Sequence, residues 1–197
     1  MRAAGVTTED RLVAAAAALL DAGGEKAVTL RAVGQGAGVS HNAPYKHFRN
    51  RDALLAAIAT ADFTRFGDAF AEIRGSSRTA KEKLRAILEF TIEYAHDHPM
   101  RYQLLFANRA IAAQGGVLQE AAMRSFEAFA AVVEECQAAG VLPGTPHRTL
   151  AGLLFASLHG LLAFEANGLT HPRKGFIGVS ESIDLLVDLI SRSDDRR

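Results

Sequence analysis

The stretch from Val28 to Leu55 constrains the fold more than any other part of the chain. Thr29 is placed to cap a helix of about two turns over Leu30 to Gly36, because a threonine hydroxyl accepts from a free first-turn amide. Gly38 then supplies a turn, Ser40 is expected to cap a third helix ending near Phe48, and Asn50 a longer one from Arg51 toward Arg74. Two short helices joined by a glycine turn are the local pattern of a helix-turn-helix, whose second helix enters the DNA major groove.

The rest of the chain fits an all-α fold. Apolar residues recur with helical rather than alternating spacing, and no run of β-branched or aromatic residues reads as a strand. A first helix is expected from Thr7 or Thr8 to Gly23, burying Leu12, Ala15, Ala16, Leu19 and Leu20. Beyond Gly75-Ser76-Ser77-Arg78, helices are expected at about 80–96, 100–107, 117–139, 148–167 and 180–191, with the breaks at His98-Pro99, Gly115-Gly116, 140–146 and 168–175. That makes about nine helices: a helix-turn-helix head over 8–68 and a helical bundle over 78–193 for ligand binding and dimerisation. The tail Asp194 to Arg197 is expected to fray.

Charge separates the two parts. The chain is neutral overall, but residues 1–51 hold seven Lys or Arg against four Asp or Glu, and residues 52–197 hold fifteen against eighteen. Between Lys26 and Arg51 there are five bases and no acid, a pattern suited to a polyanion but also met on ordinary solvated surfaces. The lone Cys136 excludes an internal disulfide and fits a reducing compartment such as the cytoplasm. The apolar stretch Leu150 to Phe164 falls short of the roughly 20 residues a membrane span needs, so no membrane helix is expected.

Within the head, Val33, Val39, Tyr45 and Phe48 can bury, leaving His41, Asn42 and Lys46 outward. Asn42 and His41 are the candidates for reading base edges, and Ala43 for touching a thymine methyl. Thr29, Tyr45, Lys46 and Arg51 are the expected phosphate clamps, and Arg31, Gln35, Ser40 and His47 complete the DNA-facing set. Pro44 is tolerable only in a first helical turn, which is read as pinning the third helix's start close to Ser40.

These residues carry a resemblance. Thr29-Leu30-Arg31, Ala37-Gly38-Val39-Ser40 and the run Tyr45 to Leu55 resemble the DNA-binding head of the TetR family of bacterial transcriptional regulators, over about residues 8–62. His98-Pro99 and Leu158-His159-Gly160 resemble a C-terminal subgroup named for a Trp-His-Gly motif, although the chain has no tryptophan. The resemblance implies a homodimer on palindromic double-stranded operator DNA, a repressor released by a small-molecule effector, with no cofactor and no metal.

For the body, Gly152, Ala156 and Gly160 fall at four-residue spacing and offer a flat stripe for close helix approach. With Ile183, Leu186, Leu189 and Ile190 they form the candidate dimer interface, against the alternative of two helices buried in a monomeric core. Phe90, Tyr94, Tyr102, Gln103, Phe106, Met123, Phe126, Phe155 and His159 are candidates for a mostly apolar effector pocket, against the plainer reading that they fill a core.

Enzymatic readings find little support. In His96-Asp97-His98 the two histidines point apart on a helix and no further ligand cluster accompanies them, and no phosphate-cradling glycine loop follows a strand. A non-enzymatic regulator is expected, the alternative being a helical ligand-binding or interaction module without specific DNA binding.

Overall fold

In the computed structural model, which describes residues 5–192, the described residues form ten α-helices and no strand. Helix α1 is Thr8–Gly23, and a short 3-10 turn Glu25–Ala27 leads into α2 (Leu30–Gly36) and α3 (Ala43–His47). Next come α4 (Arg51–Gly75), α5 (Ala80–Asp97), α6 (Pro99–Phe106), α7 (Arg109–Ala112) and α8 (Gly116–Ala138). α9 (His147–Ala166) and α10 (Val179–Arg192) complete the chain, with a second 3-10 turn at Pro172–Lys174. The all-α expectation holds, and the tenth helix is the four-residue α7, which periodicity is too coarse to find. The expected tail 194–197 and the boundary at residue 193 lie outside the described residues.

Helix starts follow the cap chemistry. Thr7 Oγ1 accepts from Asp10 N at 3.1 Å while Asp10 Oδ2 accepts from Thr7 N at 2.9 Å, a reciprocal box at the start of α1. The Thr7 amide and the Thr7 hydroxyl, both donating to Asp10 Oδ2, hold the Asp10 carboxyl below its ordinary range. Thr29 Oγ1 accepts from Ala32 N at 3.1 Å and Asn50 Oδ1 from Ala53 N at 2.8 Å, as their positions predict. Ser40 differs: α3 begins at Ala43, and the Ser40 carbonyl accepts from Ala43 N at 2.9 Å. A helix capped at Ser40 would need the amide of residue 44 for its first bond, and Pro44 has none.

The chain divides into two compact units, one running to Thr64 and including His98–Ala122, the other comprising Arg65–Asp97 and Met123 onward. Residues 98–122 therefore group with the head, where the sequence reading assigns them to a body spanning 78–193. Leu12, Ala16, Leu20, Val28, Val33, Phe48, Leu54, Leu55 and Ile58 fill the head core. Ala15 and Leu19, expected among them, are only half-buried.

The second unit is held by apolar and aromatic side chains. Phe66 meets Phe70, Phe90 and Tyr94 edge-on at 4.8 to 5.6 Å between ring centroids. A second group joins Phe126 and Phe129 on α8 to Phe155 on α9. Outside this core, Lys81 and Arg85 on α5 pair with Asp188 and Asp184 on α10.

Candidate nucleic-acid interface

The turn between α2 and α3 is fixed by backbone geometry. Gly38, at φ +64°, donates to the Gln35 carbonyl, and Val39 N donates to the Gly34 carbonyl at 3.0 Å. Both bonds close the end of α2 around a left-handed residue, where glycine avoids the steric cost of a Cβ. Arg11 on α1 adds a tie by donating to the Ala37 carbonyl at 2.6 Å.

α3 is set against α2 by Pro44. A Cβ placed on Gly34 would lie 3.1 Å from Pro44 Cγ, so a larger residue here would have to push the proline ring back by a few tenths of an ångström. Pro44 is buried and Phe48 only 4% exposed, so these two anchor α3 from beneath. Tyr45, expected both to bury and to clamp phosphate, is 60% exposed and keeps only the second option.

What remains outward is polar. Thr29, Arg31, Gln35, Ser40, His41, Asn42, Tyr45, Lys46 and His47 are all exposed, and Ala43 is half-exposed. Thr29 Oγ1 is engaged as an acceptor in the cap, which leaves its hydroxyl proton to donate to a phosphate. His47 Nδ1 lies 3.4 Å from Glu9 on α1, which orients the ring and draws it from the open face. Asn42 carries no cap bond in the structure, so its amide is available to pair with a base edge.

Arg51 is the clear departure from the expected clamps. Its Nε donates to the Val28 carbonyl at 2.9 Å, and its Nη2 donates to the Glu25 carbonyl and faces the Glu25 carboxylate at 3.4 Å. The guanidinium is spent inside the head, bracing the segment before α2 rather than reaching for phosphate. Sequence position alone places a base at a helix start but does not give the direction of a long side chain.

The expected effector residues do not assemble as one set. Tyr102 and Phe106 belong to the head unit, where their rings meet at 4.8 Å in a tilted arrangement and Phe106 meets Phe63 edge-on at 5.6 Å. Burial pushes the Tyr102 phenol up, and Gln103 on the same helix is exposed. Phe90 and Tyr94 join the first aromatic cluster of the second unit, and Phe126, Phe155 and His159 the second. His159 lies 4.0 Å from Phe155 between ring centroids, and burial lowers its pKa to about 4. Met123 is 45% exposed and falls outside both clusters. Phe66 and Phe70 are absent from the expected set, though their aromatic character at helical spacing is the signal that could have found them.

The interface candidates on α9 and α10 divide in two. Gly152, Ala156, Gly160, Leu186, Leu189 and Ile190 keep exposed or half-exposed positions, and added Cβ atoms at Gly152 and Gly160 would meet nothing within 4 Å. Ile183 is instead 1% exposed: with Val179 and Val187 it forms the inward stripe of α10 at four-residue spacing. Exposed Leu153 and Phe164 are absent from the expected interface set. A shallow groove of about 480 Å³ runs between α9 and α10, lined by Ala156, Gly160, Phe164 and Leu186 among others.

α9 also corrects the membrane expectation in its literal form. Over its full 20 residues it is long and apolar enough to cross a membrane by length and composition, with 28% of its most apolar window buried within the chain. The expectation counted only Leu150 to Phe164 and left out the helical residues on either side. His96 and His98 face carboxylates, Glu165 at 2.7 Å and Asp21 at 3.0 Å, which accounts for the pair without a metal.

Comparison with known proteins bears on these two parts separately. Residues 12–58 match the model for bacterial regulatory proteins of the tetR family, and residues 84–190, more than half of the chain, match the tetracyclin repressor-like C-terminal domain. Curated protein sequences yield no significant match. Among solved structures, a protein with unknown function from Rhodococcus sp. RHA1 is 28% identical, with a TM-score of 0.76 and 95% of each chain covered. A TetR-like transcriptional regulator from the same organism is 21% identical, with a TM-score of 0.64 and both chains covered in full. SmeT, the repressor of the Stenotrophomonas maltophilia multidrug efflux pump SmeDEF, is 22% identical, with a TM-score of 0.63 and 95% of this chain and 90% of its own covered. With an exposed polar face carried on a glycine-set helix pair and family matches over both parts, the chain belongs to the TetR family and is a DNA-binding transcriptional regulator.

Proposed function

We propose that this regulator is a homodimeric repressor that holds a palindromic operator through α2 and α3 and is released by a mostly apolar small molecule. The observation that carries the reading is the exposed row His41 and Asn42, in the turn at the start of α3, and Tyr45 and Lys46 on α3, whose other side is anchored by Pro44 and Phe48. His41 and Asn42 read base edges, and Ala43 faces a thymine methyl. Thr29, Arg31, Tyr45 and Lys46 hold phosphates, while Gln35, Ser40 and His47 border the contact.

Dimerisation is favoured by α9 and α10, whose exposed Leu153, Phe164, Leu185 and Leu189 make an apolar surface that a lone chain leaves in water. Two heads joined this way fit two half-sites of a palindrome. An effector would be taken up beside the second aromatic group of this unit, Phe126, Phe155 and His159, where Phe155 lies against an imidazole that burial keeps neutral at physiological pH. A ligand that prefers a body conformation with wrongly spaced heads lowers operator affinity, and a coupling of about 1 to 3 kcal/mol gives a roughly 5- to 150-fold change. Repression is favoured over activation by family membership and by the likeness to SmeT, itself a repressor. The protein works in the cytoplasm and carries out no catalysis.

Gel-shift binding to the protein's own promoter region in excess random DNA tests this reading. A discrete shifted band carrying two protomers and resistant to random competitor is expected. Equal binding to random DNA, or a complex with one protomer, contradicts it.

A further inference from the structure

Asn108 does two things with one amide. Its Oδ1 accepts from Ile111 N at 3.1 Å and so caps α7, while its Nδ2 donates to Glu25 Oε1 at 2.6 Å. Glu25 opens the 3-10 turn just ahead of α2, and its other carboxylate oxygen faces Arg51 Nη2 at 3.4 Å. Arg51 is the first residue of α4 and also bonds the carbonyl of Val28, which immediately precedes Thr29, the cap of α2. One polar chain thus links the cap of α7 to the beginnings of α4 and α2, and all of its members lie in the same unit.

The chemistry of the links decides their stiffness. Hydrogen bonds to an ionised carboxylate are roughly twice as strong as neutral ones, and the short Asn108 bond holds Glu25 on the side opposite Arg51. Without it, the Glu25 carboxylate keeps only the longer approach to Arg51, and the turn, still tied to Arg51 through the Glu25 and Val28 carbonyls, loses its link to α7 ahead of Thr29 and Arg31. Phosphate contacts fix the register of a reading helix, so a displaced start of α2 weakens base readout that Asn108 never touches.

We propose that Asn108 is a positioning residue for DNA binding, acting through Glu25 and Arg51 to set the starts of α2 and α4. The proposal rests on the DNA-binding reading and adds a residue remote from the reading helix. Asn108→Asp tests it, because aspartate caps a helix as well as asparagine does but sets a second carboxylate against Glu25. Adding Glu25→Gln supplies an amide donor to that carboxylate and restores the bond with donor and acceptor exchanged.

Binding is measured on the protein's own promoter fragment, beside Tm and the dependence of affinity on salt. Asn108→Asp is expected to bind about tenfold more weakly, the scale of a lost hydrogen bond to a charged group. Its Tm should stay within about 3 °C of wild type, and its salt slope should flatten by less than the roughly 0.9 of one lost phosphate contact, because Thr29 and Arg31 are displaced but not removed. The double variant should return to within about threefold of wild type. Should Asn108→Asp lower Tm as well, Asn108→Ser decides, since serine caps but is too short to reach Glu25: weakened binding with Tm intact supports the role. Wild-type binding by Asn108→Asp or Asn108→Ser, or a double variant no better than Asn108→Asp alone, overturns it. A wild-type protein that does not bind the fragment contradicts the DNA-binding reading itself, and this role with it.

Discussion

The two units solve different problems with different chemistry. In the head, directional polar bonds hold short elements in place: Thr7 with Asp10, Arg11 with Ala37, Arg51 with Glu25 and Val28, and Arg101 with the 2%-exposed Asp62. In the second unit, rings and branched aliphatic side chains do most of the holding, and ion pairs such as Arg85 with Asp184 lie at the surface, where they contribute little. A head that must present a fixed face to a regular duplex gains from bonds with preferred angles. A body proposed to accept a ligand and shift gains from apolar packing without directional constraint.

Perturbing each unit by its own chemistry sharpens that contrast. The largest effect is expected from Gly152→Leu with Gly160→Leu, which adds bulk to the open stripe of α9 without touching the head. Sedimentation should report monomers, and operator affinity should fall on the order of 10²- to 10⁴-fold as the second head loses its tether. A variant that stays dimeric shows that the stripe is not the contact.

His159 offers the next test. Its pKa is about 4 in the folded chain against an ordinary 6.5, so the unfolded chain binds the extra proton first as pH falls. The neutral buried ring thus adds no pH dependence above about 6.5 and costs stability progressively between about 6.5 and 4, on the order of 3 kcal/mol in all. Thermal melts of His159→Gln across this range should lose that part of the acid sensitivity, with DNA binding at neutral pH little changed. An unaltered slope would show that the histidine is not held neutral by burial.

Gly34→Ala strikes the helix pair, because the new methyl would lie 3.1 Å from the Pro44 ring. Overpacking of this kind costs about 1 to 3 kcal/mol, and operator affinity should drop while the dimer survives sedimentation. The smallest expected change is from Asn42→Ala: about 1 to 3 kcal/mol less discrimination at a single base position, read by competition among operator variants, with non-specific binding unchanged.

The contrast also explains how much was legible in the sequence. Thr7, Thr29 and Asn50 announced their helices because capping is local, needing only a side chain within three residues of its amide. Ser40 carried the same signal and misled, because Pro44 withdraws the amide that a helix begun there would need. α7 was signalled only by its cap, Asn108. The roles of Arg51, Tyr102 and Ile183 depend on which distant residues share their surroundings, and neither spacing nor composition carries that information. The grouping of 98–122 with the head is of the same kind.

The central claim is that the exposed face around α3 holds DNA through a small number of phosphates and reads sequence beside them. Binding of wild-type protein and of Lys46→Ala to the promoter region over a salt series tests it most directly. Expected are a linear fall of log affinity with log salt, a slope shallower by about 0.9 in Lys46→Ala, and promoter binding well above random DNA at every salt concentration. Affinity indifferent to salt, or a Lys46→Ala slope equal to wild type, would contradict it.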